Sequence, residues 1–122
     1  MSMEIETRLS GQLARYLDLA TSQAKLTAAN MANIDTPGYR TVGMDFEAEM
    51  REAMDGVNLG RAPRPARLKA VDGLIARPDG NNVSMDRESL NLAEAQLKFK
   101  VGVALLRGEN QQVMDAIHAD SK

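Results

Sequence analysis

The sequence predicts a mainly α fold: two long helices at the N- and C-terminal ends that pack in a coiled-coil-like way, joined by a short irregular or β-hairpin middle segment that also holds a short amphipathic helix. Three observations support this. All four prolines and six of the nine glycines lie between Pro37 and Gly80. The flanks on either side repeat apolar residues at helical spacing. The length, 122 residues with 43% hydrophobic and 26% charged residues and a net charge of −2, suits one domain, 1–122. No Cys, no Trp and a single His, His118, exclude disulfide frameworks, thiol nucleophiles and Cys/His zinc clusters. Four aromatics (Tyr16, Tyr39, Phe46, Phe99) beside eight Met give few of the large rigid groups that fill a compact core. No apolar run approaches the ~20 residues of a membrane-spanning helix. The opening residues Met1 to Glu6 carry acid where a secretory signal carries base.

The first helix is expected over 2–34. One stripe reads Ile5, Leu9, Leu13, Leu17, Ala20, Ala24, Thr27, Met31, Ile34, and after Leu13 its steps alternate four and three, the seam one helix offers another. A thinner stripe, Tyr16, Leu19 and Leu26, runs beside it. Such a helix is ~45 Å long at ~1.5 Å per residue, longer than a domain of this mass is wide. Pro37 pushes Thr36 out of the helical region, and Asn33 suits a left-handed cap. Pro37-Gly38 fits the two central positions of a type II turn, with Tyr39 as its anchor.

The middle spans 35–85. Between Gly43 and Gly56, residues Phe46, Met50 and Met54 line one face of a short amphipathic helix. Gly56 to Pro78 is Gly, Pro and Arg rich and reads as an extended linker. Arg67 to Arg77 alternates enough for a strand, which the turn Pro78 to Asn82 would fold back onto Val83 as a hairpin. The last helix is expected over 86–119, with Asp86 as N-cap and Glu88 in its first turn. It carries two apolar stripes on adjacent faces: Leu92, Phe99, Val103, Leu106, Val113 and Ile117, then Leu90, Ala93, Leu97, Val101 and Ala104.

Catalytic chemistry finds no constellation to rest on. Asp45, Glu47, Glu49, Glu52 and Asp55 read as a solvated helix face, because an acid/base or metal pair needs convergence and partial burial. His118 has no second His or Cys to complete a ligand set, and no Gly-x-Ser-x-Gly elbow or phosphate-cradling loop is present. Arg61 to Arg77 carries five positive charges and one negative, Asp72, but no aromatic interleaves with them. A basic linker that meets acidic protein surface is a better reading than a nucleic-acid grip, which usually needs stacking platforms. No enzyme activity, cofactor, metal, nucleic acid or small-molecule substrate is expected.

Ala29-Asn-Met-Ala-Asn-Ile-Asp-Thr-Pro-Gly-Tyr-Arg40 resembles the Asn-x-x-Asn-x-x-Thr-Pro-Gly-Tyr signature of the bacterial flagellar rod, hook and hook-associated axial proteins. Asp45-Phe46 after the turn, the segment Asp79 to Asp86 and the tail Leu97 to Ile117 are similar to the proximal rod branch of that family. The resemblance covers about 5–50 and 78–118, and Ser84 stands where the family commonly has an acidic or amide residue. It implies a non-enzymatic rod subunit of the basal body, exported by the flagellar type III apparatus to the periplasmic space. Its implied partners are copies of itself, other rod proteins, the rod-base adaptor, the export apparatus and the membrane ring. Residues alone reach a compatible mechanism, since helices this long with broad apolar faces need neighbours to complete their burial, and heterologous contacts generate rings or filaments. Leu13, Leu17, Leu97, Val101 and Leu106 are then expected in inter-helix seams between subunits. Asn30, Asn33, Asp35, Thr36, Pro37, Gly38 and Tyr39 are expected to fix the bend after the first helix. The alternative is a small cytosolic helical adaptor that binds one partner through its amphipathic ends.

Overall fold

A computed structural model describes residues 2–120, with side chains from 8 to 119; Ile5 of the first stripe lies outside those described side chains. The order is α1 (Ser2–Ala32), β1 (Val42–Gly43), α2 (Phe46–Asn58), β2 (Lys69–Ala70) and α3 (Met85–Asp120). The chain is mostly helical, with one two-stranded antiparallel ladder pairing Val42 with Ala70 and Gly43 with Lys69.

α1 and α3 run antiparallel along each other. Three side-chain bonds mark the register: Ser10 Oγ donates to Glu109 at 2.8 Å, Lys98 Nζ to Gln23 at 3.1 Å, and Asn30 Nδ2 to Glu88 at 3.1 Å. On α3 the buried positions recur every seven residues, at Glu88, Ala95, Gly102 and Glu109, the spacing that keeps one edge of a helix against a neighbour. Gly102 lets the helices touch. A Cβ there would lie 2.6 Å from Leu17 Cδ2 and 2.9 Å from Tyr16 Cδ1. The apolar core is small, comprising Leu13, Leu19, Ala20, Val83 and Ala95.

The two apolar stripes of α3 are not adjacent. Of the first, Leu92, Val103, Leu106 and Val113 are half-buried while Phe99 and Ile117 are exposed; all of the second, Leu90, Ala93, Leu97, Val101 and Ala104, is exposed. At about 3.6 residues per turn the second stripe falls on the far side of the helix from α1. α2 begins one residue after Asp45, whose carboxylate accepts from Ala48 N at 3.1 Å as an N-cap. It continues through Gly56 to Asn58. Its Phe46 stands edge-on to Tyr16, with centroids 5.8 Å apart, and beneath Lys98 Nζ, 3.8 Å from the ring centre.

Three further expectations change. α3 is capped by Ser84, whose Oγ accepts from Arg87 N at 3.3 Å, so Asp86 belongs to the first turn, where its charge meets the helix dipole. The turn after Arg77 forms, with Gly80 N donating to Arg77 O and Arg77 N to Asn81 O, both at 2.8 Å. No hairpin onto Val83 follows, because β2 pairs with β1 and the residues after the turn bind the end of α1 instead. The acidic face of α2 is not all solvated: Glu49 is only 6% exposed and is held by the linker.

Candidate functional site

The family-like motif closes α1 and ties it to everything that follows. Asn30 is fully buried on the last turn of the helix. Its Oδ1 accepts from Val42 N at 3.1 Å and from Tyr39 OH at 2.9 Å. Its Nδ2 donates to Val42 O at 2.7 Å and to Glu88 Oε2 at 3.1 Å. The amide thus uses two donors and two acceptor lone pairs, its full capacity, and Val42 fixes which end is oxygen. Glu88, also fully buried, takes its second bond from Arg87 Nη1 at 2.6 Å. One side chain of α1 joins β1, the turn and α3.

The turn has the type II form: Tyr39 N donates to Thr36 O at 3.2 Å, and Gly38 at the third position has φ +75°. Asn33 does not adopt the left-handed cap, since every positive φ among the described residues is at a glycine. It ends the helix through its side chain instead, with Nδ2 donating to Ala29 O at 2.8 Å and Oδ1 accepting from Thr36 Oγ1 at 3.0 Å. Asp35 and Pro37 are exposed.

The other half of this clamp is the turn Pro78 to Asn82 and the family-like segment after it, to which the sequence assigns no role at the end of α1. Asn81, fully buried, donates from Nδ2 to Asn33 O at 2.8 Å and to Thr36 O at 2.9 Å, a second donor for carbonyls that already accept from Thr36 N and Tyr39 N. Asn82 Oδ1 accepts from Thr41 N at 2.6 Å and Thr41 Oγ1 at 2.8 Å. Arg77 reaches Val83 O at 3.0 Å and Ile34 O. Gly38 N donates to Asp79 O at 2.8 Å, and a Cβ on Gly80 would lie 3.4 Å from Gly38 Cα, so the two turns meet glycine to glycine. The available signal was two successive asparagines directly after a Pro-Asp-Gly turn.

The linker is strapped to α2. Glu49 Oε1 accepts from Arg67 N at 3.2 Å and Arg67 Nε at 3.0 Å. Glu52 accepts from Arg64 Nε at 2.8 Å and Arg67 Nη2 at 2.6 Å. The hydrogen bond from Arg64, with the charges of Arg64, Arg67 and Arg61, holds the Glu52 carboxyl below its ordinary range. Arg67 is raised by its bond to Glu49 and the charge of Glu52.

The expected seam residues divide into two groups. Leu13 is buried, Leu17 packs on Gly102, and Leu106 is half-buried, all within the chain. Leu97 and Val101 are 63% and 43% exposed and share the outer face of α3 with Leu90 and Leu105. Among the described residues no group of three or more His, Cys, Asp or Glu is placed to hold a metal ion, and no helix is long and apolar enough to cross a membrane.

No protein-family model matches the chain. It is 34% identical to the flagellar basal body rod protein FlgB of Salmonella typhimurium, over 83% of this chain and 86% of that protein. It is 27% identical to FlgB of Escherichia coli over 84% of this chain and 88% of that one. With FlgB of Borrelia hermsii the identity is 31%, over 71% and 78%. Identity of 34% over 83% of the chain, with further matches over 84% and 71% of it, is enough to conclude that the chain belongs to the FlgB family of flagellar basal body rod proteins.

Proposed function

We propose that the chain is a structural subunit of the flagellar basal-body rod, which assembles with copies of itself and with other rod proteins through its terminal helices into an axial shaft. Family membership supports the rod. The observation that carries the assembly is the outer face of α3, where Leu90, Leu97, Val101 and Leu105 stand 61%, 63%, 43% and 55% exposed on a helix whose inner side α1 already occupies. The ridge is about 23 Å long at ~1.5 Å per residue. Each such side chain contributes roughly 1.5–3 kcal/mol when fully buried, against the ~4–15 kcal/mol that association costs. Covering one ridge therefore holds a neighbour only in concert with further contacts, as in a filament where each subunit meets several others.

In this reading Leu13, Leu17 and Leu106 form the coiled-coil-like seam that presents the ridge, and Leu97 and Val101 meet the next subunit. Asn30, Asn33 and Asp35 to Tyr39 fix the angle at which the helix pair leaves the middle segment. The reading implies export by the flagellar type III apparatus, a place in the periplasmic basal body, and contact with the rod-base adaptor and membrane ring. The test compares Leu97→Asp with Leu13→Asp in circular dichroism and in co-assembly with the other rod proteins, followed by electron microscopy. Leu97→Asp should melt like the parent yet form no rods, while Leu13→Asp loses the fold. Rods of ordinary length from Leu97→Asp would exclude the ridge as the contact.

A further inference from the structure

The two-stranded ladder has two outer edges, and only one is closed. Val71 N donates to Thr41 O at 3.1 Å, so in the register Val42↔Ala70 and Gly43↔Lys69 the residues bonded across the ladder are Thr41 and Gly43 on one strand, Lys69 and Val71 on the other. Bonding alternates along an antiparallel pair, and Val42 and Ala70 therefore turn their N–H and C=O outward. On β1 the Asn30 amide takes both groups of Val42, at 3.1 and 2.7 Å. On β2 there is no counterpart. Among the described residues nothing bonds the N–H or C=O of Leu68 or Ala70, β2 packs on no helix or strand but β1, and both its residues are exposed.

An open edge pairs with further strands unless something guards it, and charge is the guard here. Lys69 is exposed, and among the described residues its side chain makes no hydrogen bond or ion pair. Arg67, on the same face, is 63% exposed although bonded to Glu49 and Glu52. Two copies paired antiparallel about Ala70 would set Lys69 diagonally across from Lys69, within reach of a like charge. The same charge attracts a guest of opposite sign. Alternation puts Leu68, 56% exposed, on the other face with Ala70 and Asp72. The run ends there, since Gly73 turns the chain away at φ +81°. A matching strand carries acid beside Lys69 and an apolar residue beside Leu68.

We propose that the outer edge of β2, residues 68–72, is a docking strand for an extended segment of another protein with acidic residues on the Lys69 face. Backbone bonds supply the affinity and the two faces the specificity. The inference does not rest on the rod reading.

Three synthetic peptides added to the full chain, with amide chemical shifts as the readout, test it. The first is acetyl-Thr-Val-Glu-Val-Glu-Val-Thr-amide; the second has Lys in place of Glu; the third is the acidic peptide with every Val and Glu N-methylated, which keeps the charge but loses those donors. The acidic peptide should shift the amides of 68–72 and slow exchange at Ala70, and the other two should bind roughly tenfold more weakly or worse. Lys69→Glu should reverse the preference between the two charged peptides. Ala70→Pro removes the central outward donor and spares the ladder bonds of Lys69 and Val71, a place where an edge strand tolerates proline; it should melt like the parent and lose the acidic peptide. The N-methylated peptide makes the same cut on the guest, so the test stands even where Ala70→Pro fails to fold. No shift at 68–72 with millimolar acidic peptide, equal shifts from all three peptides, or an unchanged preference in Lys69→Glu overturns the proposal. Shifts at 68–72 that grow with protein concentration in the absence of peptide would assign the edge to a second copy and overturn it as well.

Discussion

Asn30 shows what one amide can do when every valence is used. Replacing it by Ala leaves Val42 N–H and C=O, Tyr39 OH and one oxygen of Glu88 short of a partner in a closed site. Unmet buried groups cost ~1–3 kcal/mol each, and water entering the space left by the amide recovers part of that. A loss of about 3–5 kcal/mol is expected, read as a lower urea midpoint, out of the ~5–15 kcal/mol a domain holds. Asn30→Asp should be worse, since it sets a carboxylate against Glu88 and the Val42 carbonyl; equal midpoints for the two variants would contradict this account of the node. The asparagines at 30 and 33 were legible because they precede a Pro-Gly stop within a few residues. Glu88, Asn82 and Asn81 were not, because their partners lie 58, 41 and 48 residues away, beyond anything that local periodicity or turn chemistry reports.

Elements are held at two kinds of contact, one steric and one electrostatic. Gly102→Ala would gain about 1 kcal/mol of helix propensity in an open helix, but here any Cβ meets Leu17 and Tyr16 at 2.6 and 2.9 Å. Gly102→Val should therefore push α1 and α3 apart and lower the melting temperature, whereas Gly108→Val, with open space around it, should not. The strap responds to pH through Glu52. Because its carboxyl titrates lower in the folded chain than in the unfolded one, its contribution is complete above the ordinary glutamate range and disappears as pH falls through the lowered value. Amide protection at Arg67 and Val71 should stay level from neutral pH down to about 5 and drop only in stronger acid; a drop already near neutrality would remove Glu52 from the strap. The helices were readable from period and punctuation alone. The ladder was not, because two-residue strands carry no alternation and β2 is led to β1 by arginines whose anchors sit on another element.

At the scale of the whole molecule, a helix hairpin hides one side of α3 and leaves the other side bare. The sequence showed two apolar stripes, but the edge that α1 takes, Glu88, Ala95, Gly102 and Glu109, belongs to neither; it is marked by Gly102, where the helices approach closely, and a glycine within an apolar pattern reads only as a weak spot. That division explains why Leu13→Asp and Leu97→Asp should fail at different stages, one in folding and one in assembly. The route of the strap has a separate consequence. Arg61 is exposed and is followed by Ala62, so trypsin should nick there before reaching the tethered Arg67. The pieces, 1–61 and 62–122, would each own one long helix and half of the Asn30–Glu88 node. A single peak on native size exclusion that resolves into two bands in detergent is the expected result, and fragments that drift apart would show the seam too weak to hold them. If they stay together, the polypeptide is divisible: its two halves could be made separately and mixed, the backbone joint between them serving as a tether that the finished fold no longer requires.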